Sequence, residues 1–321
     1  MSRVARGVLV LVVLMAAAEA MVPAQADRTQ FRLAVLRRDG ILVPFASFDG
    51  RRWSSPWPTP AYHLEAPLTL DAVPGEWWGS ITRRTMTWTL YPAKGEPRVL
   101  FMKAPAVFPA HCLSNVGLTT DYRSPESVPP PTQHHHPKDG LAVMGTQIVA
   151  PVEVLQESSP DWTGTLKLIT PTVAKAQLGA LGNESIWTRV TQSGVCPPLP
   201  PTLEVLCRFA ATGGRSVYYY ETLGRFGRST AQGLYRCGFA TFIQGFAIVE
   251  GQRLTYVSAH GTYSNGDMRE VDYGVPLGVL MIKDRMFWVM QRSGRGRESY
   301  SITEVFPGGV KPVLTVPGGG C

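Results

Sequence analysis

The sequence lacks the short motifs by which most enzymes announce themselves. No Gly-x-Ser-x-Gly occurs, so no nucleophile elbow is encoded. His-Glu-x-x-His and phosphate-loop patterns are also missing, which removes the commonest metalloprotease and nucleotide-binding classes. The five cysteines, Cys112, Cys196, Cys207, Cys237 and Cys321, contain no Cys-x-x-Cys pair. That absence argues against a thioredoxin-like redox site and a zinc ribbon. Charged residues make up only 17% of the 321 residues. The basic ones are scattered, with no lysine-rich arm or helix-borne stripe of the kind that tracks nucleic acid. No cofactor is expected.

Long apolar runs are equally scarce, and the one at the N-terminus has a specific form. Arg3 and Arg6 precede the apolar run Val8 to Ala18, and two small-residue patterns follow, Ala18-Glu19-Ala20 and Ala24-Gln25-Ala26. Charged n-region, apolar h-region and A-x-A site occur in the order of a secretory signal peptide. The run is too short to span a bilayer, and no later stretch approaches that length. Cleavage is expected after Ala26, which leaves Asp27 as the new terminus, with Met21 as the alternative. The mature chain loses Arg3, Arg6 and Glu19, so its net charge falls from +7 to +6. That excess favours contact with anionic surfaces. The expected location is the periplasm or the extracellular space, with no transmembrane segment in the mature chain.

Export brings an oxidising environment, where disulfides are the ordinary use of cysteine. Cys207 and Cys237 each lie in an apolar, strand-like run with a glycine-punctuated return between them, and this pairing is expected. Cys321 follows three consecutive glycines and suggests either a free thiol or a cross-link between two chains.

The periodicity is that of strands. Thr85-Met86-Thr87-Trp88-Thr89-Leu90 alternates threonine with large apolar residues, as a strand with one buried face does. Thr165-Leu166-Lys167-Leu168 repeats the alternation. Asp39-Gly40, Asp49-Gly50, Glu250-Gly251 and Asn265-Gly266 fall between strand-like runs and favour tight hairpins. The C-terminal half reads as a meander with strands at Leu203 to Ala210, Ser216 to Thr222, Phe239 to Val249, Arg253 to His260, Met268 to Tyr273, Leu277 to Lys283, Met286 to Arg292 and Ser299 to Val305. One short helix is expected over Pro171 to Leu181, with proline in its first turn and Gly182 as its stop.

The fold class is therefore all-β, an antiparallel meander forming a sandwich or barrel with few short helices. A propeller is the minority alternative: Phe48 to Pro56 resembles a blade hairpin over nine residues but does not recur at a fixed period. The organisation expected is a signal peptide over 1–26, an N-terminal β region over 27–122, a Pro/His-rich loop or linker over 123–140, a C-terminal β region over 141–306 and a loose Gly/Pro-rich tail over 307–321.

Three constellations carry possible chemistry. His134-His135-His136 supplies metal-ligating imidazoles, but in a proline-rich loop without an acidic or cysteine partner these read as solvated, and no metal site is expected. Glu270 and Asp272, with Asp267 nearby, share one face of an extended strand. They are the candidates for acid and base chemistry, set against an ordinary hydrated face balanced by Arg269. Trp53, Trp57, Trp77 and Trp78 cluster among prolines and glycines, either as core residues or as rigid aromatic anchors for a ligand. The resulting expectation is a non-catalytic binding or scaffolding protein of the cell envelope, its partner an envelope glycan or protein. The alternative is a hydrolase acting on an envelope polymer through Glu270 and Asp272.

Overall fold

A computed structural model describes residues 30–79, 87–127, 138–182, 189, 191–230, 233–265 and 271–321. The segment read as a signal peptide, Thr85, Met86, the three consecutive histidines, Asp267 and Glu270 lie outside the described residues. What is described is antiparallel β structure with one long helix.

The first unit is a closed barrel. It uses β1 (Phe31–Arg37), β2 (Ile41–Phe48), β4 (Thr87–Pro92), β5 (Arg98–Ala110), β6 (Leu113–Thr120) and β7 (Lys138–Met144), with the short β3 (Trp53–Ser54) attached to β2. The strand order β1-β7-β4-β5-β6-β2 closes on itself through β1–β2 pairing. The Asp-Gly signal works as expected: Gly40 has φ +81°, and the Asp39 carboxylate caps the turn by accepting from the Ile41 N–H at 3.2 Å. All six strands turn residues inward, among them Leu36, Leu42, Leu90, Leu100, Met102, Val116 and Leu118. The barrel therefore encloses a packed core.

The expected linker does not separate two β regions. β7 begins at Lys138 and pairs with both β1 and β4, so the barrel needs strand from beyond the proline-rich stretch to close.

A middle sheet follows, ordered β18-β17-β16-β15-β8. Its strands are β8 (Val149–Ala150), β15 (Tyr273–Ile282), β16 (Arg285–Gly294), β17 (Arg297–Phe306) and β18 (Gly309–Gly320). The outer sheet holds β9 (Glu153–Val154), β10 (Thr202–Ala210), β11 (Arg215–Thr230), β12 (Gly233–Glu250), β13 (Arg253–Val257) and β14 (His260–Ser264). Its order is β13-β12-β11-β10-β9, with β14 also on β12.

Period-two alternation decides the layering. Phe287, Val289, Tyr300 and Ile302 face Phe31, Leu33, Val35 and Val43 on the outside of the barrel. Met286, Trp288, Met290 and Val305 face Val217, Tyr219, Phe246 and Ile248 of the outer sheet. The far side of the outer sheet, with Tyr218, Tyr220 and Ile243, is covered by helix α1 (Pro160–Gly179). The molecule is thus layered as barrel, sheet, sheet and helix. β16 has apolar residues on both faces because both faces are buried.

The helix corrects two expectations. It begins at the Ser159 cap, whose side chain accepts from the Asp161 N–H, and Pro171 lies inside it. Thr165 to Leu168 is therefore helical, and its four-residue alternation is too short to separate the two periods. Thr165, Ile169, Val173 and Gln177 are buried at four-residue steps, the spacing of one helix face.

The cysteines pair differently from the expectation. Cys196 bonds Cys237 and Cys112 bonds Cys321, while Cys207 is a buried free thiol. Cys207 and Cys237 are on β10 and β12, with β11 between them. Two strand spacings are about 9.6 Å, beyond disulfide reach. Cys321 is used within the chain, so a Cys321-linked dimer is not supported. The expected loose tail is β18: Gly319 lies where a Cβ would meet the Ala110 carbonyl at 2.8 Å, and at Gly318 one would meet the Tyr300 ring at 2.8 Å. The terminal glycines let this strand lie tightly against its neighbours.

Candidate functional site

The four tryptophans do not share an exposed surface. Trp57 and Trp78 are 4% and 3% exposed and belong to the barrel interior, with Trp77 packed at its margin. The Trp57 indole donates to the Val116 carbonyl at 2.8 Å, and its ring meets Trp77 and Trp78 edge-on at 5.4 and 5.5 Å. Trp53 lies among Phe31, Phe48 and Phe287. These rings fill the barrel and its junction with the middle sheet. The proline- and glycine-rich turns around them deliver them inward, the placement expected of them as core residues.

Polar chemistry collects between the middle and outer sheets. Val217, Tyr219 and Glu221 alternate on β11 so that all three face the middle sheet, where Glu221 is 1% exposed. Gln244 and Phe246 on β12 face the same gap, and Arg292 on β16 reaches across from below. The gap opens as a cleft of about 440 Å³, lined among others by Tyr219, Gln244, His260, Asp272, Arg292 and Arg297. That size suits a small ligand or one unit of a larger one.

Hydrogen bonds fix the floor. Tyr219 Oη lies 2.6 Å from Glu221 Oε1 and 2.9 Å from Gln244 Oε1. The Gly274 N–H donates to Glu221 Oε1 at 2.6 Å, and Arg292 Nη1 donates to Gln244 Oε1 at 2.7 Å. Burial pushes the Glu221 carboxyl up to about 7, against the opposing pull of Tyr219, the Gly274 N–H and Arg292. Burial, then the Glu221 charge, raises the Tyr219 phenol well above its ordinary value. Arg292 forms no ion pair with any described residue, so most of its donors remain for a ligand. At the rim, Asp272 is held by Arg297 at 2.7 Å. Of the expected carboxylate pair, then, Asp272 lines the cleft and is neutralised by a neighbour, and Glu270 lies outside the described residues.

Gly274 divides this cleft from a second, more apolar cavity of about 520 Å³, lined by residues such as Val152, Val205, Cys207 and Pro276. A Cβ at Gly274 would meet Tyr219 Oη at 2.2 Å. Only glycine lets β15 come close enough for its N–H to reach Glu221. Burial, and secondarily Glu221, pushes the Cys207 thiol up to about 12, the opposite of a reactive cysteine. Among the described residues, no group of three or more His, Cys, Asp or Glu side chains is arranged to hold a metal ion.

Glu221 was absent from the residues expected to carry chemistry. The signal was present all the same: a carboxylate follows Val217 and Tyr219 at two-residue steps, on a strand face that apolar residues mark as buried. Compared with protein-family models, with curated proteins and with solved structures, the chain matches none of them.

Proposed function

We propose that this chain is an exported, non-catalytic binding protein of the cell envelope that holds an acidic group of an envelope glycan or protein in the cleft between its two sheets. The observation that carries the reading is Arg292, a guanidinium facing a concave site with one hydrogen bond, to Gln244, and no carboxylate partner among the described residues. A cation left unneutralised in a cleft attracts an anion, and guanidinium geometry suits carboxylate and phosphate. Ser258, His260 and Thr262 along the rim offer further hydrogen bonds, and the positive net charge favours the same partners at long range.

Export is supported by the N-terminal pattern and by two intramolecular disulfides. The hydrolase alternative needs two carboxylates facing one bond. Among the described residues, Asp272 is tied to Arg297 and Glu221 meets the cleft only through Tyr219, which favours binding; Glu270, the other candidate, lies outside the described residues.

The test is retention of the mature protein on an immobilised polyuronate and on a neutral polysaccharide of similar size. Selective retention on the acidic polymer, lost in Arg292→Ala and unaccompanied by new reducing ends, is the expected result. Equal retention on both supports, or an Arg292→Ala variant that elutes with the wild type, rejects the proposal.

A further inference from the structure

The contacts around Tyr219 contain one more short oxygen–oxygen approach than a single phenolic proton can fill. Gln244 Oε1 is fixed as an acceptor because Arg292 Nη1 donates to it at 2.7 Å. Tyr219 Oη lies 2.9 Å from that oxygen and 2.6 Å from Glu221 Oε1. A phenol has one proton. If it goes to Glu221, the phenol and Gln244 oxygens face each other with lone pairs only, in a buried place where that is costly. Both contacts are satisfied when the carboxyl brings a proton of its own.

We infer that Glu221 is a protonated acid in the ligand-binding state: it donates to Tyr219, Tyr219 donates to Gln244, and the cleft takes its anion together with this proton. The inference rests on the anion-binding reading of the cleft and adds its regulation. Loss of the proton places a carboxylate behind the cleft floor, turns the phenolic proton toward Glu221 and offsets the Arg292 charge that a ligand would use. Binding therefore weakens as pH rises. The direction in which burial moves the Glu221 carboxyl, up to about 7, agrees with this.

The groups facing Glu221 from the packed elements are two phenols, a thiol and a guanidinium. Tyr219 on its own strand, Tyr273 on β15 and Cys207 on β10 all have their ionisation opposed by Glu221. Among the described residues, Arg292 on β16 is the cation acting on it. At the cleft rim, Asp272 and Arg297 pair with each other, and His260 is the imidazole lining the same rim.

Inorganic sulfate is the probe, since its charge is constant over the range used. Its dissociation constant for the mature protein should rise about tenfold per pH unit above the Glu221 transition, the limit for one linked proton. Glu221→Gln removes the titrating proton at Oε1, the atom that meets both Tyr219 and the Gly274 N–H, so it should bind sulfate without the slope. His260→Gln should retain the slope. In unmodified protein, a carboxylic-acid carbonyl stretch assigned by ¹³C-Glu labelling should persist to neutral pH and sharpen on sulfate addition.

Arg292→Ala separates the two levels. Unchanged sulfate binding in that variant overturns the cleft reading itself. Sulfate binding lost in Arg292→Ala but with an undiminished pH slope in Glu221→Gln, or a slope abolished by His260→Gln, overturns the proton inference alone.

Discussion

The barrel interior and the gap between the two sheets are both enclosed, but they differ in composition. Inside the barrel, Trp57, Trp78, Trp88, Leu90 and Leu118 pack together. The buried cation there, Arg32, is held by its Nε donating to the Trp78 carbonyl at 2.6 Å, with its guanidinium over the Trp78 ring. Between the sheets, Trp288, Phe246 and Ile248 give way at one end to Glu221, Tyr219, Gln244 and Arg292. The first arrangement closes on itself and the second opens to solvent. A buried ionisable group that stays connected to a cleft marks a candidate functional site, and the predictions below test whether the two regions divide as stability and binding.

The largest expected effect concerns the Cys112–Cys321 disulfide, which joins the barrel to the middle sheet across 209 residues of sequence. Loop-closure entropy for a ring of that size is about 5 kcal/mol. Cys112→Ser should lower the denaturation free energy by roughly that amount, and chemical unfolding with and without reductant checks it. If the variant is as stable as wild type, the barrel is not anchored in this way.

Next, Trp57→Ala should cost about 3 to 5 kcal/mol, as truncation of a fully packed ring does. Refolded material should still bind sulfate at the cleft. A Trp57→Ala protein with normal stability and lost ligand retention would invert the division, restoring the tryptophans as anchors.

Glu221 gives the third test, and its sign runs opposite to most carboxylates. Its folded value is raised from 4.5 to about 7, so between those values the native state holds a proton that the unfolded chain has released. Stability should fall as pH rises through that window, by about 3 kcal/mol in all. In Glu221→Gln this decline should disappear, leaving the variant the more stable protein near pH 8. Parallel pH–stability curves for the two proteins would show that Glu221 is not the buried acid described.

The smallest effect belongs at the surface. Arg285 holds Glu304 through two contacts at 2.6 and 2.8 Å, yet its side chain is 51% exposed. Arg285→Ala should change stability by under about 1 kcal/mol and leave binding alone. A larger loss would mean that the edge of the middle sheet contributes to the core in a way its exposure does not suggest.

How far the sequence revealed this molecule depended on whether a segment had one buried face or two partners far apart. β10 to β17 stood out as a meander because Asp-Gly-type turns and alternation are local signals, and the antiparallel all-β class followed. Barrel closure was not legible, since it depends on β7 meeting β1 across a proline-rich stretch. Arg253 to His260 divided into β13 and β14 because the chain bends at Ser258, whose carbonyl accepts from the Tyr220 hydroxyl at 2.5 Å. The disulfides were misassigned because strand order decides which cysteines can meet. At the site, Asp272 stood out by its chemistry, whereas Arg292 opens the run Arg292-Ser293-Gly294-Arg295 with nothing local to mark it as facing a cleft. Glu221 was passed over because one carboxylate in the run Tyr218-Tyr219-Tyr220-Glu221 reads as strand until the burial of its face is known.

The middle position of β16 has a consequence for how the chain reaches its native state. Met286-Phe287-Trp288-Val289-Met290 is apolar on both faces, so until the barrel covers one side and the outer sheet the other, it is a bare hydrophobic ribbon with strong β-propensity. Such segments nucleate aggregation when they linger uncovered. Asp284 and Arg285 before it and Arg292 after it act as charged gatekeepers on an otherwise sticky stretch. Arg292 therefore has two successive tasks, guarding a vulnerable strand during assembly and facing the cleft once that strand is covered.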